Sequence, residues 1–221
     1  LLGALEEQKL LTREALLRTA ARMRSTAKRL EAAEAEAFKA AGGKLHSRGW
    51  ASLERWQDAP ASLIARLIRA VSGADFAPGE AEAGAAVQTF KDGGGATLGG
   101  ALLKRHGSGL AICREPAALL GRAGVSPVRP VALAPGARVL WDGRFIVSSD
   151  ARGAPMNATV EIAPVGDQAA AIMDAFGKEW APVEAIQCTP TVEMEELGAG
   201  AVIRTQSLLE ERFYGRVMRF S

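Results

Sequence analysis

Seven basic side chains, Lys9, Arg13, Arg18, Arg22, Arg24, Lys28 and Arg29, fall within 21 residues and meet a single acid, Glu14. Guanidinium forks match phosphate oxygens in shape and charge, and neutralising a phosphate releases its condensed counterions. A cluster of this kind is therefore suited to the backbone of a nucleic acid. Arg66, Lys104, Arg105 and Arg114 could extend that surface. For the last three, a strand edge protected by charge is the equally ordinary alternative.

Other reactive residue types occur without the spacing that chemistry needs. The run Gly93-Gly94-Gly95-Ala96-Thr97-Leu98-Gly99-Gly100 has the glycine content of a phosphate loop. No Lys-Ser/Thr follows at the required offset, and the flanking pattern is helix then hairpin. His46 and His106 are the only histidines and have no acidic or cysteine partner at ligand spacing, which argues against a metal site. Ser108 sits in Gly107-Ser108-Gly109, which reads as a hairpin turn and not as a nucleophile elbow. Glu193, Glu195 and Glu196 form either a solvated acidic surface or an acid/base pair. Cys113 and Cys188 lie in no C-x-x-C context and read as buried free thiols in a reducing cytoplasm. No catalytic residue, cofactor-binding residue or metal ligand is assigned within the chain.

The basic cluster must ride on a helix. Thr12 stands where an N-cap belongs, and Leu16, Ala20, Met23, Ala27 and Leu30 recur at spacings of four and three as one apolar stripe. At about 100° per residue, Arg18, Arg22 and Arg29 fall on the opposite face, with Arg24 and Lys28 flanking the stripe. Gly42 and Gly43 end the helix near Ala41. The alternative use of the same helix is a solvated face packed on a neighbour through its Leu/Ala stripe.

A second helix carries Leu63, Ile64, Leu67, Ile68, Ala70 and Val71, with Ser52 or Asp58 as its cap, Arg66 and Arg69 outside, and Ser72-Gly73 as its stop. A third helix is expected over residues 79–90, followed by a glycine turn. The period then shortens to two. Strands are expected over 96–98, 99–105 and 110–114, with a turn at His106-Gly107-Ser108-Gly109. Asp142-Gly143 between Val139-Leu140-Trp141 and Arg144-Phe145-Ile146-Val147 predicts a two-residue hairpin turn. There Trp141 and Phe145 either stack on bases or pack a core, and Arg144 pairs with Asp142. A strand at 159–162, a helix at 168–176 capped by Asp167, and strands at 201–205 and 214–220 complete the reading. The fold class is α+β. A linker helix occupies residues 1–41, a small helix-rich domain ending in a hairpin 42–125, and an α+β domain 126–221.

The chain of 221 residues is nearly half hydrophobic, which excludes disorder throughout, and no apolar run reaches the roughly 20 residues of a bilayer span. The net charge of +2 is a cancellation, since the basic cluster is followed at once by Glu31, Glu34 and Glu36. Leu1 is no initiator and no signal peptide is visible, so upstream sequence is expected to be missing.

Several stretches together resemble the C-terminal, tRNA-binding portion of bacterial tRNA(Ile)-lysidine synthetase, of the PP-loop ATPase family. They are Leu11-Thr12-Arg13-Glu14-Ala15-Leu16-Leu17-Arg18-Thr19-Ala20-Ala21-Arg22, residues 59–67, Ala96-Thr97-Leu98-Gly99-Gly100-Ala101-Leu102 with Leu110-Ala111-Ile112-Cys113-Arg114-Glu115, and Leu140-Trp141-Asp142-Gly143-Arg144-Phe145. Order and spacing match over roughly residues 5–150. The family's catalytic domain adenylates the wobble cytidine of an isoleucine tRNA, and lysine then displaces AMP. Its Ser-Gly-Gly-x-Asp-Ser loop is absent here. The resemblance thus implies a cytoplasmic tRNA(Ile)-binding portion of a ligase, with ATP, Mg and L-lysine engaged only by the missing domain. The RNA-binding residues it suggests are Arg18, Arg22, Arg24, Lys28, Arg29, Arg66, Lys104, Arg105 and Arg114. The competing reading is an interaction module that uses the amphipathic helix to form a homodimer. No membrane partner is expected.

Overall fold

A computed structural model describes residues 12–122, 124, 126–150, 160–176, 181–193 and 203–215. The first element is the expected helix. Thr12 is extended, and its Oγ1 accepts from the Ala15 amide at 3.1 Å, which satisfies one of the orphan donors at the start of α1 (Arg13–Ala40). At the other end Gly42 turns left-handed at φ 65°. The Gly43 amide donates to the Phe38 carbonyl and the Gly42 amide to that of Lys39, a Schellman close. The Phe38 ring lies where a Cβ on Gly43 would be, so glycine is required there.

A five-stranded antiparallel sheet follows, in the order β1 (Lys44–His46), β2 (Trp50–Leu53), β5 (Gly109–Arg114), β4 (Ala101–His106), β3 (Ala96–Leu98). Strands β1 and β2 were not expected from the sequence. They are three and four residues long, too short to show alternation, and Ser52 belongs to β2 instead of capping a helix. Gly99 and Gly100, read as strand, form the β3–β4 turn with φ 57° and 77°. The second helix, α2 (Ala61–Ser72), starts after Pro60. Asp58 lies in a short 3₁₀ turn, so the cap is proline's fixed φ and no side chain. Then come α3 (Glu80–Lys91) and the short α4 (Pro116–Leu120).

One sheet face packs on α2 and α3. Leu53, Leu103, Leu110 and Ile112 meet Leu63, Leu67, Ile68 and Phe90 in one buried cluster. The opposite face is covered from far along the chain. Trp50, Ala111 and Cys113 pack against Val165, against Ala169 and Met173 of α5 (Ala169–Phe176), and against Ala185 and Ile186 of α6 (Val183–Gln187). Asp167 does not cap α5 through its side chain; it sits in a 3₁₀ turn that leads into it.

Two three-stranded antiparallel sheets form the remainder. They have the orders β10 (Pro190–Glu193), β9 (Val160–Pro164), β6 (Val131–Leu133) and β11 (Ile203–Ser207), β8 (Phe145–Ser149), β7 (Arg138–Trp141). Trp141, Phe145, Val147 and Ile162 are buried between them, so Trp141 and Phe145 are core residues and not base-stacking platforms. The strand expected over 214–220 is not formed at Tyr214, which ends α7 (Leu209–Phe213); residues 216–220 lie outside the described residues. Leu209 and Phe213 of α7 return to the first cluster. Residues after 126 therefore close the core of the lobe before it. The architecture is α+β.

Candidate nucleic-acid interface

Among the described residues, helix α1 is anchored at its root. Its buried residues are Glu34 and Phe38, about 5% and 4% exposed, and residues 13–33 contribute no buried side chain. Those 21 residues extend about 30 Å at 1.5 Å per residue. The stripe of Leu16, Met23 and Leu30 continues into Glu34 and Phe38 on the same side of the helix, because 34 and 38 lie four and eight beyond Leu30. The stripe thus faces the body at the root and overhangs it further out. There it is uncovered, with Met23 68% exposed. This departs from the packed stripe expected of an ordinary surface helix.

Arg18, Arg22 and Arg29 project on the far side, with Arg24 and Lys28 beside the stripe. All five are exposed. No ion pair among the described residues engages them. Their charges are thus available to an external anion.

The root of the arm is fastened by Arg66. Arg66 on α2 donates to Glu34 at 2.7 Å, sits 3.5 Å from Glu31, and also donates to the Phe213 carbonyl. Its guanidinium lies over the Phe213 ring, which in turn packs 4.7 Å from Phe38. Arg66 is therefore a bracket between three helices. Lys104 is likewise committed, bonded to both Glu184 oxygens at 2.7 and 2.8 Å. Arg114 holds Asp142 through two bonds at 3.2 and 3.1 Å and also donates to the Gly100 carbonyl. Arg105 alone of the later candidates stays exposed, its guanidinium 5.4 Å from the centre of the Phe90 ring. Of the nine candidate residues, the arm's five and Arg105 remain open to a ligand.

The joint between the lobes is built on the predicted Asp142-Gly143 turn. Asp142 adopts φ 49° and Gly143 φ 65°, as a two-residue hairpin turn demands. The Asp142 carboxylate accepts from Arg144 Nε at 2.6 Å as well as from Arg114. Burial pulls the Arg144 guanidinium below its ordinary range, and Asp142 opposes that pull. The turn presses on the end of α2. A Cβ on Gly73 would stand 2.4 Å from the Asp142 carbonyl oxygen, and one on Gly143 2.9 Å from that of Gly73. Arg212 joins the lobes too, donating to the Gly143 and Ala74 carbonyls. Sequence alone pairs Arg144 with Asp142, but nothing in it brings Arg114 or Arg212 to the same place.

The remaining reactive groups are held in structural roles. Both cysteines are free and buried, which pushes the Cys113 thiol well up and that of Cys188 to about 12, far from the thiolate a nucleophile needs. His46 stacks on Trp50 with ring centres 3.6 Å apart and shares a hydrogen bond with Ser52, while His106 meets the edge of the same indole. Burial, His106 and Lys44 lower His46 to about 4. Among the described residues no group of three His, Cys, Asp or Glu side chains could hold a metal, and no helix is long and apolar enough to cross a membrane. Glu195 and Glu196 lie outside the described residues. Compared with known proteins, the chain matches no family model, no curated protein and no solved structure.

Proposed function

We propose that this chain is the tRNA-gripping portion of an enzyme of the lysidine synthetase kind, holding tRNA(Ile) while an adenylating domain modifies the wobble cytidine. The observation that carries the reading is the arm: about 30 Å of helix that contributes no buried side chain and presents Arg18, Arg22, Arg24, Lys28 and Arg29 without an ion-pair partner among the described residues. Arginines along a straight rod contact phosphates and 2′-hydroxyls of an A-form helix by shape, not sequence. In this reading ATP, Mg²⁺ and L-lysine belong to the adenylating domain, and this chain supplies position to the reaction and no bond-making group.

The test is tRNA binding by the chain and by an Arg18→Glu/Arg22→Glu/Arg29→Glu variant. These side chains are exposed, so the variant keeps the fold, and its affinity is expected to drop by at least about 100-fold. Equal affinities would reject the arm as the interface.

A second reading is favoured by the uncovered stripe. Leu16, Leu17, Met23 and Leu30 are exposed on the arm and fit a protein surface. A homodimer built on this stripe predicts a concentration-dependent increase in mass by light scattering. A monomer at high micromolar concentration speaks against it.

A further inference from the structure

A cleft of about 480 Å³ opens where the end of β4 meets helices α5 and α6. Two periodicities build it. Alternate residues of β4 share a face, so Lys104 and His106 point with Leu102 toward α5 and α6, and Arg105 points the other way with Leu103. The Arg105 guanidinium accordingly lies over Phe90 of α3, 5.4 Å from the ring centre, on the opposite sheet face from the cleft. On α5, Ala170, Met173 and Asp174 stand at positions i, i+3 and i+4 and share one side of the helix. Pro182 and Val183, at the start of α6, complete the apolar lining.

The charges of the lining leave one carboxylate over. Lys104 is engaged by Glu184, whose two oxygens it meets at 2.7 and 2.8 Å. With the Arg105 guanidinium on the opposite face, the cleft has no free cation among the described residues. Asp174 takes part in no ion pair among them, and no hydrogen bond among them occupies the ring nitrogens of His106. His106 is nevertheless held in place, its ring 5.3 Å from the buried Trp50 indole. The cleft therefore offers two acceptors, a carboxylate and an imidazole nitrogen, beside an apolar slot in which Met173 and Pro182 are buried. Its volume is within the range of small-ligand sites. An anion is repelled by Asp174 and finds no counter-charge. A purely apolar ligand strips water from both acceptors and returns no hydrogen bond. An alkylammonium uses every part: its N–H groups donate to Asp174 and His106, and its methylenes lie on Met173, Pro182 and Val183.

We infer that this cleft binds a primary alkylammonium group. The shared chemistry is a charged amine on an unbranched apolar stem, carried either by a free polyamine or by a lysine side chain of another polypeptide. The inference is independent of the tRNA-gripping reading, since no residue of the arm lines the cleft. Strand β4 and helices α5 and α6 are far apart in the chain and meet only in the fold, which is why no linear motif announces the site.

Met173 lies in the cleft, so methyl-labelled methionine in the full chain reports its occupancy. Three probes of matched length are titrated near neutral pH: n-butylammonium, n-butanol and butyrate. Butylammonium should shift the Met173 signal with saturation and bind about three- to tenfold more tightly than butanol, and butyrate should leave the signal in place. Asp174→Asn, at an exposed position, should bring butylammonium down to the level of butanol. His106→Phe keeps a ring against Trp50 and should weaken butylammonium about threefold while leaving butanol unchanged. Ala170→Leu, an exposed position on α5 that borders the cleft, should abolish the shift without altering the fold. Spermidine and Nα-acetyl-lysine amide then identify the source of the amine. Tighter binding of spermidine assigns a free polyamine, and equal or tighter binding of the amide assigns a lysine side chain. A Met173 signal unmoved by butylammonium overturns the proposal. So does butanol or butyrate binding as tightly as butylammonium, or a shift that survives either Asp174→Asn or Ala170→Leu unchanged.

Discussion

Asp142 is one carboxylate serving two guanidinium groups in a place where little water reaches. Arg144 is about 3% exposed and has no other carboxylate partner among the described residues, only the Cys188 carbonyl. Asp142→Asn keeps the left-handed turn, because asparagine tolerates positive φ, but leaves Arg114 and Arg144 without their counter-charge. Removing one partner of a buried pair costs about 3–5 kcal/mol, and urea unfolding should show a loss of that size. His46 makes a second residue-scale prediction. It titrates at an ordinary 6.5 when unfolded and at about 4 when folded, so the fold prefers the neutral ring. That preference contributes fully above pH 6.5 and is lost as pH falls from 6.5 toward 4. The thermal midpoint of the wild type should therefore drop more steeply over that window than that of His46→Gln. Parallel profiles would show that the ring is not titrating against the fold.

At the scale of elements, the arm and its root should respond differently to truncation. Phe38→Ala removes a ring from the core beside Phe213 and is expected to cost about 3–5 kcal/mol. Met23→Gln, on the uncovered stripe, should change stability by no more than about 0.5 kcal/mol. Chemical denaturation of the two variants checks the contrast, and comparable losses would mean that the arm packs along its length. The root was only half legible in the sequence. Thr12, the 3.6-residue stripe and Gly42-Gly43 specify α1, and period-two segments around Gly107-Ser108 and Asp142-Gly143 specify two hairpins, because caps and turns act through near neighbours. What escaped was built from distance. Strand β2 is stabilised by pairing with β5 some sixty residues on, β1 pairs in turn with β2, and the five-residue helices α4, α6 and α7 exist because packing holds them. The same limit applies to the basic residues. A linear reading counts Arg66, Lys104 and Arg114 with the arm's arginines, and only the fold shows Glu34, Glu184 and Asp142 already occupying them.

In the whole molecule, a two-lobed body carries a charged helix whose outer arginines form no ion pair among the described residues. The body is fastened through Asp142, Gly73 and Arg212, and it roots the rod through Arg66. Such a device has little to do for itself: about 30 Å of helix adds no buried side chain to the core, and Arg18, Arg22, Arg24 and Arg29 have no ion-pair partner among the described residues. In the proposed function it holds a polyanion beside the lobes, as an enzyme acting on one nucleotide of a large tRNA would require. Counterion release makes that claim measurable, since the logarithm of the binding constant falls linearly with the logarithm of salt by roughly 0.7–0.9 per phosphate contact. The most direct measurement is this slope for tRNA binding, in the wild type and in an Arg18→Gln/Arg22→Gln/Arg29→Gln variant. The wild type should show a slope steeper by about 2 to 3, with the affinities converging at high salt. Superimposable slopes would contradict the account, because the arm would then touch no phosphate.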